Sequence, residues 1–214
     1  MCGRYGLYDI SESELLQENK GYDFKPNYNA APTQSMPVIA LYGEKQTVKV
    51  MEWGINRKLG PEVERDIFNT RSEKALERFW GKTVRSHRCL IPANGFYEWK
   101  KTADGKIPYW IHSPKYSMVY FAGIYDMDTE GNEHYSIITT TPNKEMSELH
   151  DRMPVVLEGK ARDAWLSVDD TETELLDELL KPLADGSLTM YQVSKDVNYV
   201  RNNNGELIAP LNPA

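Results

Sequence analysis

Two cysteines in 214 residues rule out a disulfide framework, and Cys2 and Cys89 are read as reduced thiols. Long apolar runs are missing too, since no stretch approaches the roughly 18 to 20 residues of a membrane span, so no membrane partner is expected. The opening MCGRYGLYDISESE lacks the basic flank and apolar core of a signal peptide, which leads to the expectation of a cytoplasmic protein. There is no internal repeat, no low-complexity tract and no clustering of proline or glycine into a linker, so a single domain over 1–214 is expected. No glycine-rich phosphate loop follows a strand, which disfavours dinucleotide-binding and P-loop folds. Four histidines, spaced as they are and with two cysteines between them, do not make a zinc site; neither metal nor cofactor is expected.

What is present is the composition of a globular chain: 40% apolar and 11% aromatic residues, with a net charge of -7. An anionic protein is on average repelled by phosphate, but the charges here are segregated. Residues 1–100 carry 15 basic and 13 acidic side chains, whereas 101–214 carry 10 and 19. From 71 to 88 the sequence offers Arg71, Lys74, Arg78, Lys82, Arg85 and Arg88 against only Glu73 and Glu77.

Runs rich in β-branched and aromatic residues predict strands over 37–41, 46–53, 89–91, 95–100, 107–112, 117–125, 134–140, 153–157 and 188–193. Helices are fewer. Ser11 with Glu14, and Thr171 with Glu174, have capping-box spacing ahead of leucine-rich segments. A third helix is expected over 72–80, with Ala75, Leu76 and Phe79 inward and Arg71, Lys74 and Arg78 forming a basic stripe. The pattern indicates an α+β fold built on a mainly antiparallel or mixed, barrel-like sheet with flanking helices.

Cys2 is the first chemical peculiarity. Removal of an initiator methionine before a small second residue would leave Cys2 with a free α-amine, whose reference pKa of about 8 makes it far more often a free base than lysine at about 10.4. Such an amine attacks aldehydes, and the thiol on the same residue can then close on the same carbon to give a thiazolidine. Gly3 leaves room for the electrophile, and Arg4 offers a phosphate contact. The alternative is a chance cysteine at a frayed end. Glu98, between Tyr97 and Trp99, is suited to acid/base chemistry if desolvated, or is an outward strand glutamate. His150 precedes Asp151 and Arg152 and is the best placed of the four histidines for proton transfer. Asn69 positions a reacting group or caps the helix that follows, and Trp53 stacks on a base or lies in the core.

Together MCGRY, NYNAAPTQ, WGI, FNTRSE, RCLIPANGFYEW, FAGIYD, ITTTPN and HDRMPVVL, in this order, resemble the SRAP family, the SOS-response-associated peptidases, and the likeness runs from residue 2 to about 211. The resemblance implies a monomeric protein, nucleoid-associated if bacterial, that captures abasic sites in single-stranded DNA as a thiazolidine and shields them from strand cleavage. It further implies Cys2 as nucleophile, Asn69 to orient it, Glu98 as acid/base and His150 to promote opening of the sugar ring. Arg4, Arg71 and Arg152 would hold phosphates, with Trp53, Lys74 and Arg78 as further DNA contacts. Relatives often carry a second tryptophan after the WGL-like motif. This chain continues Asn56-Arg57-Lys58-Leu59, which puts Arg57 and Lys58 forward as phosphate contacts instead. The alternatives are a cysteine peptidase with an N-terminal nucleophile, including self-processing, and a noncovalent reader of modified single-stranded DNA.

Overall fold

A computed structural model describes residues 2–18, 23–60, 63–77, 80–169 and 171–211. Among them fifteen strands and six short helices follow one another. The first part comprises β1 (Tyr5–Leu7), α1 (Glu14–Gln17), β2 (Asn27–Ala30), β3 (Ser35–Tyr42), β4 (Lys45–Trp53), β5 (Ile55–Gly60), β6 (Val63–Ile67), β7 (Asn69–Arg71), α2 (Ser72–Ala75) and α3 (Gly81–Ser86). Then come β8 (Arg88–Ala93), β9 (Gly95–Thr102), β10 (Gly105–His112), β11 (Val119–Met127), β12 (Glu133–Thr140), α4 (Lys144–Ser147), β13 (Met153–Pro154) and β14 (Val156–Leu157). The chain closes with α5 (Lys160–Ser167), α6 (Thr173–Leu179), β15 (Thr189–Gln192) and two 3-10 turns, Lys195–Asn198 and Gly205–Ile208.

The fold is α+β around a mixed, barrel-like sheet. Strands β12, β4, β3, β8 and β11 pair in that order, and β11 pairs back to β12, so five strands close into a ring. The β4–β12 pairing is parallel and the other four are antiparallel. Closure removes free edges, and the apolar side chains of β3, β8 and β11 fill the interior. At Gly123 a Cβ would stand 2.1 Å from the Ile91 side chain, so only glycine lets β11 lie this close to β8.

A second sheet, in the order β15-β10-β9-β1-β2, packs against the barrel. Side chains alternate across β9. Phe96 meets Phe121 of the barrel edge-on at 5.8 Å, whereas Tyr97 packs with Trp110 at 4.7 Å in a smaller cluster with Val193, Val197 and Leu207. The C-terminal segment therefore covers the outer face of this sheet. It is held there by Asn29, whose Nδ2 donates to the carbonyls of Tyr199 and Asn202 at 3.1 and 2.9 Å, and by Asn203, which accepts from the Tyr28 N–H.

Helices form where the two capping-box patterns lead, though with other caps than expected, and the third expected helix is broken. The α1 cap is Ser13, which accepts from the Leu16 N–H, whereas the Ser11 N–H bonds to Asp9. Thr171 bonds back to Asp169 and leaves α6 without a side-chain cap. Over 72–80 the expected helix stops at Ala75, the chain turns at Leu76 and Glu77, and α3 begins only at Gly81. Four residues without a side-chain cap do not sustain a helix, and burial of Ala75 and Trp80 shapes the segment instead. The expected basic stripe is therefore not one helix face, and Arg78 and Phe79 lie outside the described residues.

Candidate functional site

Strand pairing carries the N-terminus to Glu98. In the antiparallel β1–β9 pair Tyr5 faces Phe96 and Gly6 faces Gly95, and the Tyr97 N–H donates to the Arg4 carbonyl at 2.9 Å. Continuing that register sets Gly3 across from Glu98. The approach depends on glycine at both crossing positions. A Cβ at Gly95 would meet the Ile111 carbonyl oxygen and the Trp110 ring at 2.5 Å, and one at Gly6 would meet Trp110 at 2.9 Å.

Cys2 is fully buried, and its thiol is pushed up to about 12, first by burial and then by the Glu98 carboxylate, against the N-terminal ammonium and a backbone hydrogen bond from Arg4, both of which favour the thiolate. The sulfur is a protonated thiol at neutral pH. Glu98 is 5% exposed and turned to the barrel side of β9 like Phe96, which dismisses the reading of it as an outward strand glutamate. Its Oε1 accepts from the Trp99 N–H at 3.1 Å.

Gly3, Glu98 and His150 line one cavity of about 550 Å³, together with Trp99, Lys101, Lys106 and Asn198. His150 arrives from the opposite side of the molecule's sequence. Helix α4, capped by Asn143, ends in a turn in which the His150 N–H bonds to the Met146 carbonyl, and β13 then joins β12. The His150 Nδ1 accepts from the Arg152 N–H at 3.0 Å and lies 2.8 Å from the exposed Asp151 carboxylate. Nδ1 thus meets a donor and an acceptor at once, and the ring's other nitrogen, Nε2, is the one left for a substrate.

Asn69 is a strand residue on β7, opposite Ile137 of β12, and not a helix cap; the α2 cap position is Arg71. Its Oδ1 is buried with no hydrogen-bond partner, as are Arg4 Nε and Arg152 Nε. Each orphaned atom costs about 1–3 kcal/mol unless something outside the described residues pairs with it. All three belong to residues the motifs singled out.

Several expected DNA contacts are placed otherwise. Trp53 is fully buried between Tyr5 and Tyr135, with its indole N–H on the Phe68 carbonyl at 2.8 Å, so it is core and has no face free for a base. Arg152 is 8% exposed and already engages Glu73 and the Thr139 carbonyl, so its charge is largely spent within the protein. Arg4 Nη1 binds Asn29 and the Val197 carbonyl, both at 2.8 Å, which ties β1 to the C-terminal segment. Arg57 pairs with Asp126 and lies over Trp80, Lys74 pairs with Glu77, and Arg88 is buried on four backbone carbonyls, those of Val84, Arg85, Trp165 and Val168. The side chain of Lys58 lies outside the described residues. Arg71 stays exposed at the end of β7. The sequence reading missed Trp99, Asn198 and the lysines of the β9–β10 hairpin as lining residues; alternation from Glu98 points away from Trp99 and Lys101, which lie on the other face of β9.

Among the described residues no group of three His, Cys, Asp or Glu side chains is arranged to hold a metal, and no helix is long and apolar enough to cross a membrane.

The chain is 36% identical over 224 aligned positions to the abasic site processing protein YoqW of Bacillus subtilis (strain 168), covering 97% of this chain and 99% of that one. It is 34% identical to YoaM of the same organism, also named an abasic site processing protein, with 97% of each covered. A crystal structure of a protein from Bacteroides thetaiotaomicron superposes with a TM-score of 0.79 at 22% identity, over 98% of this chain and 99% of that one, and so shares the fold. The family model described as SOS response associated peptidase (SRAP) matches residues 1–200, and the chain belongs to that family.

Proposed function

We propose that this protein processes abasic sites in single-stranded DNA by covalent capture through Cys2, acting as a single SRAP domain and a monomer. The observation that carries the reading is the placement of the Cys2 thiol, closed off from solvent, beside the Glu98 carboxylate at a cavity that His150 also lines.

The burial of the sulfur orders the steps. A thiol held protonated is a poor first nucleophile. After removal of Met1 the free α-amine of Cys2 attacks the aldehyde of the ring-opened sugar, and the carbinolamine loses water to give an iminium. Before that, as the sugar ring opens, His150 in its protonated form gives a proton from Nε2 to the ring oxygen and the anomeric hydroxyl gives up its own to water or to the imidazole so formed, leaving the aldehyde with no net change in protons. The thiol then adds to the iminium carbon and its proton passes to Glu98, so a C–S bond forms while the C=N double bond becomes single. The product is a thiazolidine. The iminium develops positive charge beside a buried carboxylate, a favourable pairing in a site that excludes water. Asn69 Oδ1, an acceptor with no donor, is suited to hold the α-amine.

Ring closure explains why cysteine is required and serine is not enough. An imine left open acidifies the sugar C2 protons and leads to β-elimination, which breaks the strand; the thiazolidine removes the imine. The test is an oligonucleotide with one abasic site, resolved on a denaturing gel. Wild type is expected to give a heat-stable covalent band with an intact strand, and Cys2→Ser to shift toward cleavage. A full-strength heat-stable band from Cys2→Ala would refute capture through this residue.

Phosphate contacts by Arg71, Arg4 and Arg152 remain part of the proposal. Of the three, exposed Arg71 is the one open to a phosphate as it stands, whereas the Arg4 and Arg152 guanidinium groups are held within the protein. Cleavage of peptides in trans has no comparable support in the site.

A further inference from the structure

Lys101 and Lys106 are directly opposite each other across the β9–β10 hairpin, and both line the cavity that holds Glu98 and His150. Like charges in facing strand positions destabilise a sheet. Neither ammonium has an ion-pair partner among the described residues, and both are exposed. Alternation along β9 puts Lys101 on the same face as Trp99, which also lines the cavity and donates its indole N–H to Asn198 at 2.8 Å.

The residue after Asn198 is Tyr199, 59% exposed, with the Arg201 guanidinium 5.8 Å from its ring centre. This is no frayed tail, because the Tyr199 carbonyl accepts from buried Asn29 and its N–H bonds to the Asp196 carbonyl at 3.2 Å. A hydrogen-bonded loop thus holds an aromatic ring out in water, one residue on from Asn198, which lines the cavity with the two lysines.

We propose that Trp99, Lys101, Lys106 and Asn198, with Tyr199 and Arg201, form a subsite for the nucleotide flanking the captured residue. The lysine pair takes a backbone phosphate, which relieves its repulsion, and the exposed ring stacks on the neighbouring base. This rests on the reading of the chain as a single-stranded DNA binder. It supplies the stacking surface that buried Trp53 does not.

The test is anisotropy binding of an unmodified single-stranded oligonucleotide over a range of salt, which needs no covalent chemistry. The Lys101→Ala/Lys106→Ala protein is expected to bind several-fold more weakly and to lose about 0.7 from the slope of log affinity against log salt for each phosphate contact removed. Its unfolding temperature should not fall, because a repulsion has been deleted. Tyr199→Ala is expected to weaken binding about five- to hundredfold to the base-bearing strand and far less to a strand carrying base-free spacers. An unchanged salt slope in the double variant, or equal losses for both strands with Tyr199→Ala, overturns the subsite. If wild type forms no adduct with abasic DNA, the capture reading fails, and the salt slopes still decide this one.

Discussion

The Cys2 thiol is closed off from solvent behind the Glu98 carboxylate, which lines the cavity, and the negative charge of Glu98 adds to burial in keeping the sulfur protonated. These two effects outweigh the N-terminal ammonium, which pulls the other way. This pairing suits a thiol that acts second, after an amine has made a cationic carbon for it to attack.

In protein that retains Met1, alkylation of Cys2 is therefore expected to be slow near pH 7 and to climb without a plateau until about pH 12, instead of levelling off near the ordinary 9.0. The folded state holds this proton more tightly than the unfolded chain does. Its contribution to stability is thus present at low pH and is lost as pH rises from the unfolded value toward the folded one. A plateau near pH 9 in mass-resolved labelling of a Cys89→Ala background would contradict it.

Glu98→Gln removes the charge while keeping the shape. It is expected to bring the Cys2 thiol down and to slow adduct formation by about 10²- to 10⁴-fold, the usual scale for loss of an acid/base group. Single-turnover crosslinking rates across pH check this, and a faster adduct in the variant would argue that thiolate supply, and not proton acceptance, limits the reaction.

Trp53 makes a different prediction because it lies in the core. Trp53→Ala is expected to cost about 3–5 kcal/mol of stability, and Trp53→Phe about 1 kcal/mol beyond packing losses for the hydrogen bond to Phe68. Denaturant unfolding measures both. Loss of DNA affinity in a Trp53→Phe protein of near-native stability would restore the stacking role.

Arg152 and Glu73 form a half-exposed ion pair whose hydrogen bond holds the Glu73 carboxyl below its ordinary value. The stability it lends is present above the unfolded carboxylate pKa of about 4.3 and is lost as pH falls through the lower folded value. Glu73→Gln should cost about 1 kcal/mol at pH 7, discounted for solvent screening, and flatten that part of the acid limb. Thermal melts from pH 3 to 7 read both effects.

The strands of the barrel were legible because β3, β4, β8, β11 and β12 carry dense β-branched and aromatic runs. Strand β9, which carries Glu98, was legible in the same way, but three short strands were not. Tyr5–Leu7, Asn27–Ala30 and Asn69–Arg71 are three or four residues long, and they are strands because tertiary neighbours pair with them. The same limit explains the arginines. A charge count over 71–88 cannot see that Arg88 is spent on backbone carbonyls, or that the segment turns at Leu76. Glu98 and His150, by contrast, were marked by residue type and local context, and the fold lines one cavity with both although 52 positions separate them.

Intact mass of the purified protein before and after reaction with a single-stranded oligonucleotide carrying one abasic site tests the central claim most directly. The account predicts a starting mass lacking Met1 and an adduct equal to protein plus the whole oligonucleotide less one water, stable to heat and absent from Cys2→Ala. A starting mass that keeps Met1 and still yields this adduct, or an adduct of undiminished amount in Cys2→Ala, would contradict it.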